Sequence, residues 1–137
     1  MTLHPKIKAA LELPQVVLDL HGGDPIQRAL AAHALARPEP PVAPAQRMAW
    51  LVDALEDDYP AVRWFAFRGL RRLARAADDP RVEASLAVPQ AMEDPGLRAV
   101  MIDELRAVLG PGPLTHAPEL AAALHDRRDD QAIWIGE

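Results

Sequence analysis

The sequence has no cysteine, few aromatic residues and no long apolar run. Without cysteine among its 137 residues, the chain can form no disulfide, thiolate metal site, cysteine nucleophile or cysteine-linked haem. Aromatic residues make up only 4% of the chain, so Ala, Leu and Val must build the core, which favours packed helices over a sheet. No apolar run approaches the roughly 20 residues of a membrane span. Residues 1–13 also lack the continuous apolar stretch of a secretory signal.

The remaining composition is that of one folded domain. Hydrophobic residues make up 50% of the chain, which excludes a disordered polar sequence, and residues 1–137 are interpreted as a single domain. The net charge of −5 gives the whole molecule no general attraction for nucleic acid or for an anionic membrane. Because the sequence shows neither a membrane span nor a secretory signal, we expect a cytoplasmic protein by default, or a periplasmic one if the chain is a fragment or mature form of an exported protein.

An internal repeat of 35 residues runs through most of the chain. Proline, arginine and leucine recur in it at fixed positions. The prolines are Pro25, Pro60 and Pro95. An arginine follows each proline by three residues, at Arg28, Arg63 and Arg98, and a leucine follows each arginine by seven, at Leu35, Leu70 and Leu105. Three columns that agree at one period predict three equivalent helices.

The residues around each proline are typical of a helix start. Asp24 and Asp94 lie at the N-cap position, and the proline that follows occupies the first helical position, where its missing N–H costs nothing. Tyr59 takes the cap position in the middle block and predicts a weaker cap. Preceding partner helices are predicted over Pro14 to Leu20, Ala43 to Asp57 and Pro80 to Met92, and a last helix over Pro118 to Leu124. Pro89 should kink or end its helix early.

The motif Asp-Pro-x-Val-Arg, followed by Ala and Leu at helical spacing, resembles the second helix of a HEAT repeat. The resemblance covers roughly Pro14 to Gly110. It implies an all-α fold, a short α-solenoid of three HEAT-like helix pairs plus a partial fourth, with a Pro-rich connector at 36–44 inside it and a tail at 126–137. The resemblance also implies structural roles for two sets of residues. Arg28, Arg63 and Arg98 resemble the arginine that bonds across neighbouring repeats, and Asp24 and Asp94 resemble the turn aspartate, a pattern from which Tyr59 departs.

A second resemblance is narrower. The run LEDDYPAVRWFAFRGLRRL, with HGGDPIQRALAAHAL upstream, is similar to the HEAT-type region that follows the haem-binding part of some bacterial multihaem c-type cytochromes. The chain has no haem motif. The resemblance therefore implies a detached or stand-alone version that has lost the redox part, associated with a multihaem cytochrome electron-transfer system.

No residues in the sequence form a recognisable catalytic, metal or cofactor motif, so we predict a protein that is not an enzyme and has no cofactor. The five histidines have neither metal-ligand spacing nor a nucleophile at a known spacing. His21-Gly-Gly-Asp24 is interpreted as a helix end followed by a cap, with His21 as a cation at the helix C-terminus. The acidic pairs at 56–58, 78–79 and 93–94 are interpreted as helix caps.

One helix carries a basic face that a structural role does not explain. On a helical wheel, Val62, Ala66, Gly69 and Leu73 share one side. The opposite side holds the residues that we call the Trp/Arg patch: Trp64, Arg68, Arg71, Arg72 and Arg75. An exposed indole among guanidinium groups is typical of a binding surface, and a guanidinium can stack on the ring of Trp64. The 35-residue superposition places His33 and Asp103 beside Arg68.

The Trp/Arg patch favours a non-catalytic protein-interaction module, a scaffold or adaptor, whose partner has an acidic surface. The alternative is a nucleic-acid-binding HEAT-like domain, which the arginines favour and the net charge of −5 disfavours. A third interpretation gives the arginines no binding role and treats them as a solvated face of the helix. The apolar tail Ala132 to Gly136 is interpreted either as a segment that covers the open end of the solenoid, by folding back over the last helix or docking on another chain, or as a disordered terminus.

Overall fold

The computed structural model describes residues 15–37, 42–112 and 118–128, and within these ranges the chain is all-helical without a strand. This confirms the predicted all-α class. The helices are α1 (Gln15–Gly22), α2 (Pro25–Leu35), α3 (Pro44–Ala54), α4 (Pro60–Ala76), α5 (Pro80–Ser85), α6 (Pro95–Leu109) and α7 (Pro118–Asp126). A 3₁₀ helix, Pro89–Met92, separates α5 from α6. No helix in the described ranges is long and apolar enough to span a lipid bilayer.

Proline and aspartate set the helix starts. Every helix from α2 onward begins at a proline, whose fixed φ suits the first helical position. Asp24 accepts a hydrogen bond from the Gln27 backbone N–H (2.8 Å), and the Gln27 side chain accepts one from the Asp24 N–H (2.9 Å). Asp94 accepts from the backbone N–H groups of Gly96 and Leu97. Tyr59 is the N-cap of α4 and makes no side-chain cap bond.

Helix α4 lies at the centre of the described chain. It packs against α2, α3, α5 and the 3₁₀ helix, while α1 packs against α2. The side of α4 that the wheel predicts to be apolar faces this core, with Val62, Ala66 and Leu73 each 0% exposed. Ala31, Ala66 and Leu70, predicted to be buried, are 5%, 0% and 0% exposed, so that prediction is confirmed.

Gly69 allows α4 to approach its neighbours closely. A Cβ atom added there would lie 3.0 Å from the Ala36 Cβ and 3.1 Å from a Leu51 methyl, closer than ordinary van der Waals contact. The absence of a side chain therefore lets α4 pack at short range on the end of α2 and on α3.

The third repeat packs differently from the first two. The helix before Pro89 ends early, as predicted: α5 stops at Ser85 after only 6 residues, and Pro89 begins the 3₁₀ helix. Helix α6 packs mainly on α3, α5 and the 3₁₀ helix instead of extending the α2–α4 row. Asp103 consequently lines a cleft with Glu56 and Arg98, and is not part of the cleft that Arg68 lines. Helix α7 packs on α1.

Several predicted features lie outside the described residues. These are the leading segment 1–14, residues 38–41 of the Pro-rich connector, His4, His116 and the tail segment Ala132 to Gly136.

Replacing Leu70 by Ala should lower the free energy of unfolding by about 2–5 kcal/mol, because a fully buried leucine leaves a cavity when truncated. Leu30, which is 62% exposed on α2, offers the same chemical change as a control. Leu30→Ala should change stability by less than about 0.5 kcal/mol. Urea unfolding followed by circular dichroism measures both, and equal effects would contradict the assigned core.

Candidate interaction surface and the buried ion pair behind it

A buried ion pair joins the first two helix pairs. The Arg28 side chain is 0% exposed and the Asp57 side chain 1%. Arg28 Nε donates to Asp57 Oδ2 (2.8 Å), and Nη2 donates to Asp57 Oδ1 (3.0 Å). Arg28 Nη1 donates to the Gly23 carbonyl (2.8 Å), at the end of α1. Asp57 Oδ1 also accepts from the Tyr59 backbone N–H (2.9 Å). Arg28 therefore joins the end of α1, through Gly23, to the turn between α3 and α4, through its bidentate contact with Asp57.

The three repeat arginines share one local role. Each donates through Nη1 to a carbonyl in the turn that precedes its own helix. Arg63 bonds the Asp57 carbonyl (2.8 Å) and Arg98 the Met92 carbonyl (3.0 Å), as Arg28 bonds the Gly23 carbonyl. Arg28 additionally reaches a carboxylate of the following repeat. The residue 35 positions after Asp57 is Met92, so Arg63 has no equivalent carboxylate to bind.

Sequence reasoning missed the role of Asp57. The acidic run at 56–58 is interpreted from sequence as helix caps, but Asp57 is 2% exposed and binds Arg28. Asp79 and Asp94, in the other acidic pairs, do cap α5 and α6. A usable signal was present: Asp57 stands three residues before the repeat proline, where the other two repeats have Gly22 and Met92.

The prediction for His21 was wrong. It lies at the end of α1 as expected, but it is 6% exposed and its Nε2 is buried without a hydrogen-bond partner among the described residues. Burial, followed by the nearby Arg128 guanidinium, lowers the pKa of His21 from 6.5 to about 4, against a smaller opposing effect of Asp57. His21 is therefore neutral at pH 7, because the interior disfavours the charged imidazole more than the helix terminus favours it.

An open polar cleft of about 390 Å³ lies between α1, α3, α6 and α7. Its main ion pairs are internal: Arg106 donates to Asp53 (3.1 Å) and to Glu56 (2.9 Å). Burial raises the pKa of Asp53, and the bond from Arg106 opposes that shift. No group of three potential metal ligands occurs among residues 15–37, 42–112 and 118–128. The carboxylates of Asp53 and Glu56 in this cleft therefore bind Arg106 and hold α6 against α3.

The arginines of the Trp/Arg patch all lie on the exposed surface of α4. Arg68, Arg71 and Arg72 are exposed, and none belongs to a salt bridge within the described part of the chain. Arg75 has a side chain that is 65% exposed and lies 3.9 Å from Glu83, beyond hydrogen-bond distance. Surface pairs of this kind contribute little.

Trp64 does not have the environment that the wheel suggests. Its indole is half-buried against the core and meets the Phe67 ring edge-on, with centroids 5.9 Å apart. The guanidinium–ring contact is made by Arg71, whose Cζ lies 5.7 Å from the centroid of Phe67, not of Trp64. The indole packs against the core instead of standing exposed among the arginines, because Phe67 one turn further along offers it an apolar surface.

Sequence reasoning also missed an apolar neighbour of the patch. Phe65 is 38% exposed, and the His33 ring of α2 meets it edge-on at 6.1 Å. His33, Phe65, Arg68 and Arg72 line one cleft of about 250 Å³, so the predicted neighbourhood of His33 and Arg68 is observed. On the wheel, Phe65 lies on the same exposed side as Arg72, which is the signal that was available.

No family model, no curated protein and no solved structure gives a significant match to this chain. A functional assignment therefore depends on the surface chemistry of α2 and α4.

Replacing Asp57 by Asn should lower the free energy of unfolding by about 3–5 kcal/mol, since it removes the carboxylate that binds the buried Arg28 guanidinium through two hydrogen bonds. Asp58→Asn, one residue further on and exposed, is the control and should have an effect within about 0.5 kcal/mol. Chemical unfolding of the two variants beside the parent measures the difference. A loss below about 1 kcal/mol for Asp57→Asn would show that the pair is not a main support of the fold.

Stability should fall in acid because of His21. Its pKa is about 4 in the folded chain and 6.5 once unfolding exposes the imidazole to water, so the unfolded chain binds the proton first and acidification between these values favours unfolding. The His21 contribution is fully present above pH 6.5 and is lost progressively down to pH 4. The loss should total roughly 3 kcal/mol, because a difference of one between the two pKa values corresponds to about 1.4 kcal/mol.

The comparison variants are His21→Gln and His125→Gln, the latter at an exposed histidine of the same cleft. His21→Gln should flatten the stability profile between pH 6.5 and 4, and His125→Gln should keep the parent slope. Identical slopes in all three proteins would contradict a neutral, buried His21.

Proposed function

We propose that this chain is a non-catalytic protein-interaction module, a scaffold or adaptor, that binds an acidic partner surface through the Trp/Arg patch. The observation that carries the proposal is the exposure of Arg68, Arg71 and Arg72 on one helix, outside every salt bridge of the described residues. Neighbouring arginines on a helix repel one another by a few tenths of a kcal/mol per pair. A partner that brings carboxylates relieves this repulsion.

Guanidinium groups suit this role chemically. Each can bind a carboxylate through two parallel hydrogen bonds, and arginine is among the side chains most enriched at binding hot spots. The contact of Arg71 with the Phe67 ring, which also meets the half-buried Trp64 edge-on, holds one guanidinium in place before a partner arrives. The net charge of −5 over the whole chain makes the basic face of α4 a local feature and favours a local acidic counterpart.

We also propose that the helices form a short HEAT-like α-solenoid of three helix pairs and a partial fourth. It is supported by the equivalent starts of α2, α4 and α6 at a proline, and by the shared bond of Arg28, Arg63 and Arg98 to the preceding turn. The packing of α1 on α2, α3 on α4 and α2 on α4 is the arrangement that such pairs would have. Helix α6 departs from this arrangement, because it packs on α3, α5 and the 3₁₀ helix.

We further propose that the partner belongs to a multihaem cytochrome electron-transfer system, following the similarity of the run around Tyr59. Haem propionates or acidic side chains of such a protein would supply the carboxylates. A neighbouring reading frame that encodes a multihaem cytochrome would support this assignment, and its absence would count against it.

The second candidate is nucleic-acid binding, which the four patch arginines of α4 favour. Counterion release makes such binding strongly dependent on salt. Titration of mixed-sequence duplex DNA at low and moderate salt separates the two functions, since a protein-interaction module of net charge −5 should give no salt-dependent shift.

Reversing two charges of the patch should weaken partner binding by roughly tenfold or more, the loss that a disrupted arginine hot spot produces. The variant is Arg68→Glu with Arg72→Glu, and the matched control is Arg81→Glu with Arg127→Glu, an equal charge change at exposed positions outside α4. A partner recovered by affinity purification is titrated against all three proteins by calorimetry, with helicity verified by circular dichroism. Equal affinities of the folded proteins would reduce the patch to a solvated face.

A further inference from the structure

An apolar groove lies beside the arginines, between α2 and α4. Ile26 and Leu30, one turn apart on α2, are 48% and 62% exposed, and Phe65 on α4 is 38% exposed. Together with Ala29 and Tyr59 they line an open groove of about 350 Å³. Single exposed apolar residues need no explanation, but three large ones that share a concave surface indicate a contact site.

The groove adjoins the basic cleft. Phe65 lines both, and beyond it come His33 from α2 and Arg68 and Arg72 from α4. Because the early residues of both helices line the first groove and the later residues of both line the second, α2 and α4 run in the same direction at this surface. The two clefts thus form one track, apolar over the first half of the helices and basic over the second. We call it the α2–α4 track.

We infer that the α2–α4 track binds an acidic amphipathic helix of the partner protein. The inference rests on the proposed function, because Arg68 and Arg72 belong to both surfaces, and it adds α2 to the binding surface. A purely acidic surface would leave Ile26, Leu30 and Phe65 uncovered. A purely apolar segment would desolvate guanidinium groups without a counter-charge, which is costly.

The spacing of the track specifies the occupant. Ile26 and His33 are seven residues apart on α2, which at 1.5 Å per residue is about 10 Å along the helix. A helix lying along the track therefore needs two bulky apolar side chains, one turn apart, for the apolar half. It also needs carboxylates for the basic half, about two turns beyond the first apolar side chain. This is the helix-in-groove mode of recognition with a charged end.

The probe is a fluorescent helical peptide of about 12 residues that carries two leucines four positions apart and two glutamates three and four positions after the second leucine. One companion peptide has both leucines replaced by alanine, and another has both glutamates replaced by glutamine. The full chain should bind the probe roughly tenfold more tightly than either companion in a fluorescence anisotropy titration. Equal binding of all three peptides would overturn the inference.

Variants of the full chain separate this inference from the proposed function. Ile26→Gln with Leu30→Gln should weaken probe binding roughly tenfold. Leu97→Gln with Val100→Gln, at exposed apolar positions of α6, should leave it unchanged. If only Arg68→Glu with Arg72→Glu weakens binding of the purified partner, the proposed function stands and the apolar half of the track is wrong. If neither pair of substitutions at the track weakens it, both fall.

The same variants test other occupants. The parent chain could sediment as a dimer and the variant Ile26→Gln with Leu30→Gln as a monomer. That result would show that a second copy of the chain covers the groove. Mixed-sequence duplex DNA could displace the probe, and to the same extent the companion peptide that carries glutamines, from the chain. That result would assign the track to nucleic acid. Either result would overturn an acidic helix as the occupant. Sedimentation as a monomer, with a probe that duplex DNA does not displace, supports it.

Discussion

The bidentate contact between Arg28 and Asp57 is the interaction on which the described architecture depends most. Both groups are withdrawn from water, with side chains 0–1% exposed, so breaking their bidentate contact would be strongly unfavourable. Arg28 belongs to α2 and Asp57 to the turn that leads into α4. Their bond therefore fixes the start of α4 relative to α2, and Gly69 then allows the two helices to approach closely further along. The groove lined by Ile26 and Phe65 exists only because these two helices keep that relation.

Local features of the sequence are sufficient to predict the helices but not their long-range contacts. Pro25, Pro60 and Pro95 mark three helix starts, and the apolar side of α4 is predicted correctly, because capping and 3.6-residue periodicity are encoded within a few residues. Arg28 and Asp57 stand 29 positions apart in the sequence. The capping rule considers only neighbouring residues, so it assigns the Asp57 carboxylate to a helix cap instead of to Arg28. The prediction for His21 failed for the same reason. Its charge is decided by burial beneath other elements, which a helix-terminus rule does not take into account.

The candidate site is predicted only in part. The exposed arginines of α4 follow from the wheel, but the environment of Trp64 does not, because a wheel shows direction and not what lies above a side chain. The apolar residues of α2 that extend the surface are not singled out at all, since their relevance depends on the packing of α2 against α4. The third repeat shows the converse limit: its sequence superposes on the others, yet α6 packs on α3, where Arg106 binds Asp53 and Glu56. An interrupted preceding helix and an ion-pair network accompany this different packing of α6.

The central claim, that Arg28 and Asp57 stabilise the fold as a coupled pair, is tested most directly by a double-mutant cycle. Arg28→Met and Asp57→Leu replace the two charges by apolar side chains, singly and together, and urea unfolding gives the free energy of each protein. We predict that each single substitution costs several kcal/mol and that the double variant costs less than the sum by at least about 1.5 kcal/mol, because the second substitution removes the buried charge whose bidentate partner the first had already removed. Costs that add within about 0.5 kcal/mol would contradict a coupled pair and, with it, the proposed origin of the α2–α4 arrangement.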